Sequence, residues 1–183
     1  MYIVRIAALV GAIALCSCGG MMDDLRPSGA DNSQTANADS AGGTQEQKAP
    51  DFTVSDTLGR SVNLYAELDS GVTAVVLYFT MWCPVCAAHS DHMRNNIVPQ
   101  YPNVKFFLVD YVSGTVPAAR DAQVSNGYAY SAFGVLVDSS GAVLSSFGAT
   151  MGTTVVISKT GAVTMKEDYK DGAALKNALA KLL

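Results

Sequence analysis

Residues 78–89 read YFTMWCPVCAAH, with Cys83 and Cys86 separated by two residues behind a run of apolar and aromatic side chains. The run begins earlier, because residues 72–80 (VTAVVLYFT) are almost all apolar, β-branched or aromatic. Such a run predicts a strand that is buried on both faces, as in a parallel sheet. Pro84 then fits the first turn of a helix. We therefore expect the cysteine pair at the junction of a buried strand and a helix.

The remainder of the domain is predicted to contain both strands and helices. The helix after the cysteines is expected to run to about residue 97, with helical spacing of Val85, Ala88, His92 or Met93, and Asn96 or Ile97. The other predicted elements are a hairpin around residues 58–59, strands at 104–112 and 135–137, helical segments at 117–127 and 141–147, a hairpin with strands 153–158 and 162–167, and a C-terminal helix from about residue 171. A strand, a helix and a strand in succession form a βαβ unit with a right-handed crossover.

The first part of the chain is predicted not to belong to this domain. Residues 1–17 contain one early positive charge, Arg5, followed by an apolar segment that is too short to span a membrane, as in a signal peptide. Ser17 and Cys18 end a pattern that resembles the lipobox of bacterial lipoproteins, so Cys18 is the predicted lipidation site. The alternative is an ordinary secretory signal. Residues 18–48 are polar, lack aromatic residues and are predicted to be a flexible tether, which leaves residues 49–183 as the folded domain.

Charge and cysteine content narrow the possible functions. The formal net charge is −4, with acidic and basic residues scattered, so no basic surface for nucleic acid or anionic membrane is expected. Export would remove Cys16 with the signal and lipid would modify Cys18. Cys83 and Cys86 would then be the only free thiols, in a compartment where disulfides persist.

The predicted position of the pair favours redox chemistry. A helix N-terminus stabilises a thiolate, so Cys83 is expected to have a pKa below the roughly 8.5 of a free thiol and to act as nucleophile. Cys86, one turn later, would resolve the mixed disulfide. A zinc site is disfavoured, because no second cysteine pair exists and the spacing of His89 and His92 drifts around a helix. A purely structural crosslink is disfavoured because so short a loop removes little chain entropy.

Three segments together carry a family resemblance. Residues 49–68 (APDFTVSDTLGRSVNLYAEL), 75–86 (VVLYFTMWCPVC) and 133–163 (FGVLVDSSGAVLSSFGATMGTTVVISKTGAV) resemble the TlpA/ResA-like thiol–disulfide oxidoreductases of the bacterial envelope, within the broader redoxin/AhpC-TSA family. The resemblance implies an α/β thioredoxin-like fold, with a central mixed sheet flanked by helices and an N-terminal β-hairpin extension. It implies that Trp82 flanks the site and shields one face of the nucleophile, and that Pro84 and Val85 help to set the redox potential. No cofactor and no resident metal are expected.

The chain departs from the family pattern at three positions. Gly152, between Met151 and Thr153, stands where the family has a cis-proline, and is expected to leave the loop around Cys83 looser and more open to metal. His89 replaces a glutamate that is frequent in the family. It is expected either to serve as acid or base for Cys86 or to be a half-exposed helix residue without a role. Leu77 replaces the buried aspartate of thioredoxin itself, which argues against a general-purpose thioredoxin.

The resemblance implies a lipid-anchored protein of the cell envelope, monomeric and facing the periplasm or the cell exterior. It would exchange two electrons with protein disulfides or dithiols, in the reductive direction. A membrane thiol–disulfide donor would then reduce its own disulfide again. Three alternatives stay open. A peroxiredoxin-like peroxidase shares Thr80 and Cys83 of the Thr-x-x-Cys motif but lacks its proline, since Val76 stands there. A copper-handling protein would use Met151 as a soft ligand. A scaffold lipoprotein would not use the cysteines.

Overall fold

The computed structural model describes residues 47–183, so the predicted signal peptide, Cys18 and nearly all of the tether lie outside the described residues. The strands are β1 (Thr53–Asp56), β2 (Ser61–Asn63), β3 (Ala74–Thr80), β4 (Val104–Asp110), β5 (Phe133–Val137), β6 (Thr153–Ser158) and β7 (Val163–Asp168). The helices are α1 (Leu64–Asp69), α2 (Pro84–Asn96), α3 (Val116–Ser125), α4 (Ala142–Ser146) and α5 (Ala173–Ala180), with a 3₁₀ turn at Val98–Gln100. None of these helices is both long and apolar enough to cross a membrane.

All seven strands form one mixed sheet in the order β2-β1-β5-β4-β3-β6-β7. The three central strands β5, β4 and β3 are parallel, while β1 and β6 pair with them in the antiparallel direction. Strands β1 and β2 form the predicted N-terminal hairpin. The thioredoxin-like α/β fold with a mixed sheet flanked by helices is thereby confirmed.

Strand β3 lies between β4 and β6 in the sheet and is buried along its whole length. Its alternate side chains point to opposite faces, as the pleat requires. Val76 and Tyr78 belong to one cluster of buried side chains, whereas Leu77 and Phe79 belong to the other. The sequence predicted this burial on both faces. Because packing on both faces fixes the end of β3, it also fixes the position of the cysteine pair that follows.

Helix α2 begins directly behind β3 because local interactions favour a start there. Cys83 is the N-cap residue, in an extended conformation, and its Sγ accepts a hydrogen bond from the backbone N–H of Cys86. Pro84 occupies the first turn, where its missing N–H has no cost. The buried face consists of Cys86, Ser90 and Met93. The predicted apolar face was therefore wrong in its first turn, because burial of Cys86 rotates Val85 and Ala88 outward.

Two other segments differ from the sequence expectation. Leu64 and Tyr65 were expected to end the second extended segment, but they begin helix α1, for which the Asn63 side chain accepts a hydrogen bond from the backbone N–H of Ala66. Asparagine is a preferred N-cap, so the signal for this helix was present. At the start of the domain, ordered contacts precede residue 49, since Lys48 pairs with Ala162.

Candidate active site

The two cysteines meet at the first turn of α2 as free thiols with different exposure. Their Sγ atoms are 2.8 Å apart. Cys86 is buried with 1% of its surface exposed, whereas Cys83 is half-buried and reaches the surface. A disulfide bond is about 2.05 Å long, so only a small movement separates the reduced pair from an oxidised one. The pair can therefore open and close without rearrangement of the strand or the helix.

Charge on the pair is stabilised by hydrogen bonds. Burial opposes ionisation of Cys86, but hydrogen bonds from the Cys83 thiol and from the backbone of Met81 and Cys83 outweigh it and hold the pKa of Cys86 below its ordinary value. The sequence predicted acidity at Cys83, and the structure shows a lowered pKa at its partner. Exposure then decides which sulfur meets an external disulfide, and that sulfur is Cys83.

Trp82 precedes the nucleophile in a strained conformation. Its φ is +57°, in the left-handed region, which costs a bulky residue about 1–2 kcal/mol. Its indole N–H donates to Oδ2 of Asp110 at 2.8 Å, and its backbone N–H donates to Thr80 Oγ1 at 3.2 Å. These bonds hold the indole against strand β4, and its ring centroid lies 6.2 Å from that of Tyr128. The strain is thus maintained by a residue of the neighbouring strand β4.

Asp110 was not identified from the sequence. It is completely buried at the end of β4, and its second oxygen accepts from the backbone N–H groups of Val112 and Ser113. A buried carboxylate is normally paired or hydrogen-bonded, and Asp110 has three donors. A polar residue at the end of an otherwise apolar strand was the available signal. Asp110 acts through Trp82 and is a positioning residue.

The buried sulfur has a different set of neighbours. The Tyr78 phenol oxygen lies 3.0 Å from Nδ1 of His89. Burial, the charge of a Cys86 thiolate and a hydrogen bond with its sulfur raise the pKa of Tyr78. Tyr78 therefore lies near Cys86 and contacts His89, which is half-exposed on α2. Burial and the nearby His92 lower the pKa of His89, so the imidazole is neutral at neutral pH.

The position of Tyr78 bears on the role that the sequence predicted for His89. His89 was predicted to act on Cys86 or to have no role, and the structure places a phenol between the two groups. Tyr78 was missed because it was counted as a core residue of β3. A buried tyrosine usually finds a hydrogen-bond partner, and this was the signal for its polar role. The Tyr169 ring also packs against His89, with ring centroids 4.9 Å apart.

The loop opposite the cysteines contains the remaining predicted site residues. Met151 Sδ lies 3.9 Å from Cys83 Sγ. Gly152 has φ +88° and a trans peptide bond, and its N–H donates to the carbonyl of Phe79 at 2.9 Å. Thr153 Oγ1 accepts from the Thr150 N–H and donates to the Asp168 carboxylate. These bonds tie the loop to strands β3 and β7.

Glycine at position 152 has a conformational reason. A φ near +88° is outside the range of proline, and proline would lack the N–H that binds Phe79. A Cβ at Gly152 would meet no atom within 4 Å, so the backbone angle and the N–H, rather than lack of space, select the residue. Within residues 47–183 no peptide bond is cis. The glycine therefore replaces a proline turn by a differently hydrogen-bonded one.

Pro84 and Val85, the residues between the cysteines, are both exposed. Val85 has 54% of its surface exposed, and the neighbouring Met81 has 44%. Across residues 47–183, no group of three or more His, Cys, Asp or Glu side chains is placed to hold a metal ion. Of the residues predicted on the opposite loop, Met151 contacts Cys83, whereas the hydrogen bonds of Gly152 and Thr153 go to other parts of the chain.

Solved structures with the same fold include several thiol-active proteins. MTB dsbF, in mixed oxidised and reduced forms, is 23% identical, with a TM-score of 0.60 over 72% of this chain and 95% of that chain. A putative thiol:disulfide interchange protein DsbE from Chlorobium tepidum is 20% identical, with a TM-score of 0.60 over 75% and 96%. Peroxidoxin BcpB from Mycobacterium tuberculosis is 22% identical, with a TM-score of 0.59 over 75% and 94%. At these identities the likeness shows the fold alone.

Family membership is shown by the sequence. No curated protein matches the chain. The family model described as Redoxin, however, matches residues 44–182, which is well over half of the chain and includes the cysteine pair and the loop opposite it. The chain therefore belongs to the Redoxin family.

Proposed function

We propose that the protein is a thiol–disulfide oxidoreductase that exchanges two electrons with protein disulfides and dithiols through Cys83 and Cys86. The observation that carries this proposal is the pair itself: two free sulfurs 2.8 Å apart, one half-exposed and the other buried. Membership of the Redoxin family supports the same chemistry.

In the proposed cycle Cys83 attacks first. Its thiolate attacks one sulfur of a partner disulfide, the partner S–S bond breaks, and the second partner sulfur leaves as a thiolate. The Cys86 thiolate then attacks Cys83 Sγ, breaks the mixed disulfide and releases the first partner sulfur. The partner gains two electrons and its sulfurs take up two protons, while Cys83 and Cys86 become a disulfide.

Protons move on the buried side of the pair. Cys86 must lose its proton before it attacks, and its sulfur is shielded from water. Tyr78 and His89 provide a path, because the phenol interacts with Cys86 and lies 3.0 Å from His89 Nδ1. A neutral imidazole can accept a proton, and His89 is neutral at neutral pH since burial lowers its pKa. Tyr78 and His89 are thus proposed to serve the resolving step.

The subfamily, the direction of electron transfer, the location and the partners that we propose are those that the family resemblance implies. The segments quoted above support a TlpA/ResA-like protein that works in the reductive direction as a monomer. Residues 1–18 support export and a lipid anchor on Cys18, with the domain in the cell envelope facing the periplasm or the cell exterior. Oxidised protein would then be reduced by a membrane thiol–disulfide donor. Partners would be proteins with accessible disulfides or dithiols.

The proposal is tested by a pair of cysteine variants. Reduced wild-type protein should reduce a peptide disulfide and accumulate the Cys83–Cys86 disulfide. Cys86→Ser should stop after the first step and accumulate a mixed disulfide on Cys83, which intact-mass spectrometry detects. Cys83→Ser, the matched control, should form no such adduct. Equal exchange by wild type and Cys86→Ser would contradict the proposal and favour a protein that does not use the pair.

A further inference from the structure

We infer that Cys83, Cys86 and Met151 together form a three-sulfur binding site for Cu(I). This site uses the cysteine pair but does not depend on its activity in disulfide exchange. Its third member belongs to the loop before β6 and is 68 residues away in sequence from Cys83.

Cys83 Sγ lies close to both other sulfurs, and these two distances bear on whether one ion can be held. Metal–sulfur bonds in proteins are about 2.3 Å, so three sulfurs around one ion lie about 4 Å from each other. Met151 Sδ is already 3.9 Å from Cys83 Sγ. The two cysteine sulfurs are 2.8 Å apart and must separate by about 1 Å, which a small rotation of the half-exposed Cys83 side chain provides.

The loop holds Met151 in this place. The next residue, Gly152, donates its N–H to the carbonyl of Phe79, one residue before the end of β3. The same strand leads to Cys83, so the thioether and the thiol are anchored to one rigid element. Met151 itself is 40% exposed and does not serve the core. The thioether therefore lies beside the nucleophilic sulfur at the protein surface, where an ion can enter from solvent.

The donor set selects the metal. Thiolate and thioether are soft ligands that favour Cu(I). Zinc sites normally have four ligands, and in the described part of the chain no third His, Cys, Asp or Glu joins the pair. Nδ1 of His89 is engaged with Tyr78. Two thiolates and one thioether instead suit Cu(I), which three soft ligands can coordinate without a fourth.

Binding has a defined chemical balance. The two thiols lose their protons to solvent, and the ion is held by two thiolates and one neutral thioether. No electron is transferred, because the copper enters as Cu(I) and the protein is already reduced. A Cys83 sulfur bound to copper cannot attack a disulfide. Copper binding and disulfide exchange are consequently exclusive states of the same pair.

The test is an anaerobic titration of reduced protein with Cu(I) against a colorimetric Cu(I) chelator, followed by X-ray absorption at the copper edge. Wild type should bind one ion with three sulfur neighbours. Met151→Leu should bind at least about tenfold more weakly and show two sulfur neighbours. Met81→Leu, which removes another exposed thioether near the pair in sequence, should behave as wild type. Cys83→Ser should lose the site.

Two results would overturn the inference. One is wild-type affinity in Met151→Leu, which would mean that copper binds to the cysteines alone, as to any dithiol. The other is a wild-type spectrum with only two sulfur neighbours. A thiol count confirms that each variant is reduced before titration. Disulfide exchange is measured separately, on copper-free protein. If exchange is normal but the three-sulfur site is absent, the copper site is contradicted and the proposed exchange activity is not.

Discussion

The two sulfurs of the pair are 2.8 Å apart but belong to different regions. On the outer side, Trp82, Cys83 and Met151 reach the surface, and a buried carboxylate holds the indole. On the inner side, Cys86 is buried and adjoins the Tyr78 phenol, which contacts His89. The outer side contains sulfur and indole groups, whereas the inner side contains thiol, phenol and imidazole groups that can donate or accept protons.

This difference suggests a division of labour. The outer side determines which disulfide or ion reaches Cys83, while the inner side determines how easily Cys86 gives up its proton. Changes on the outer side should therefore alter reaction with external partners. Changes on the inner side should alter resolution of the mixed disulfide and its pH dependence. The following predictions test this separation.

The largest effect is expected for Asp110→Ala, on the outer side. Removal of the carboxylate leaves the Trp82 indole N–H and two backbone N–H groups without their acceptor, at a cost of about 3 kcal/mol in the free energy of unfolding. Released Trp82 should also leave its left-handed conformation, and the first attack by Cys83 should slow. Urea unfolding and stopped-flow kinetics measure the two effects.

Asp138→Ala is the matched control for Asp110→Ala. Asp138 is equally buried, and it accepts from the backbone N–H groups of Val143 and Leu144 at the start of α4. The control should lose similar stability but keep the rate of the first attack. Equal rates in the two variants would show that Asp110 supports the fold and does not position Trp82.

A smaller effect is expected for Tyr78→Phe, on the inner side. Loss of a hydrogen bond to a charged sulfur costs about 1.4 kcal/mol, which is roughly tenfold in the rate of resolution. The first attack by Cys83 should be unchanged. Tyr128→Phe is the control, because Tyr128 is also buried but its hydroxyl donates to Asp91. Slowing of resolution by both variants would contradict the role of Tyr78.

The smallest effect concerns the pH dependence of stability. Burial and His92 lower the pKa of His89, so below the ordinary histidine value of about 6.5 the unfolded chain binds the proton more readily than the folded one. The contribution of His89 is therefore complete above that pH and is lost as the pH falls through the lowered pKa. His89→Gln should show a shallower loss of unfolding free energy between about pH 7 and 5. Parallel curves for both proteins would contradict this.

Local features of the site could be predicted from the sequence. Three patterns extend over only a few residues of sequence: the apolar run of β3, the proline after Cys83 and the cysteine spacing. The predicted strand, the start of the helix and the position of the cysteine pair at their junction were therefore correct. The face of α2 was misjudged in the first turn because Val85 looked apolar while Cys86 in fact enters the core. The helix α1 was missed because Val62 and Leu64 imitate strand alternation.

Contacts between distant parts of the chain could not be predicted. Asp110 and Trp82 are 28 residues apart, and their bond depends on the pairing of β3 with β4. The turn at Gly152 was correctly identified as unusual, but its hydrogen bond to Phe79 requires the register of β3 against β6. Tyr78 was placed in the core correctly, and only the fold shows that its hydroxyl faces His89.

The most direct test of the division between the two sulfurs is alkylation of the fully reduced protein with limiting iodoacetamide, from acid to alkaline pH, with peptide mapping by mass spectrometry. The first label should be on Cys83 throughout, at neutral pH faster than the label on glutathione, with Cys86 protected until the protein unfolds. Labelling of Cys86 as early as Cys83, or a Cys83 no more reactive than glutathione, would contradict the account.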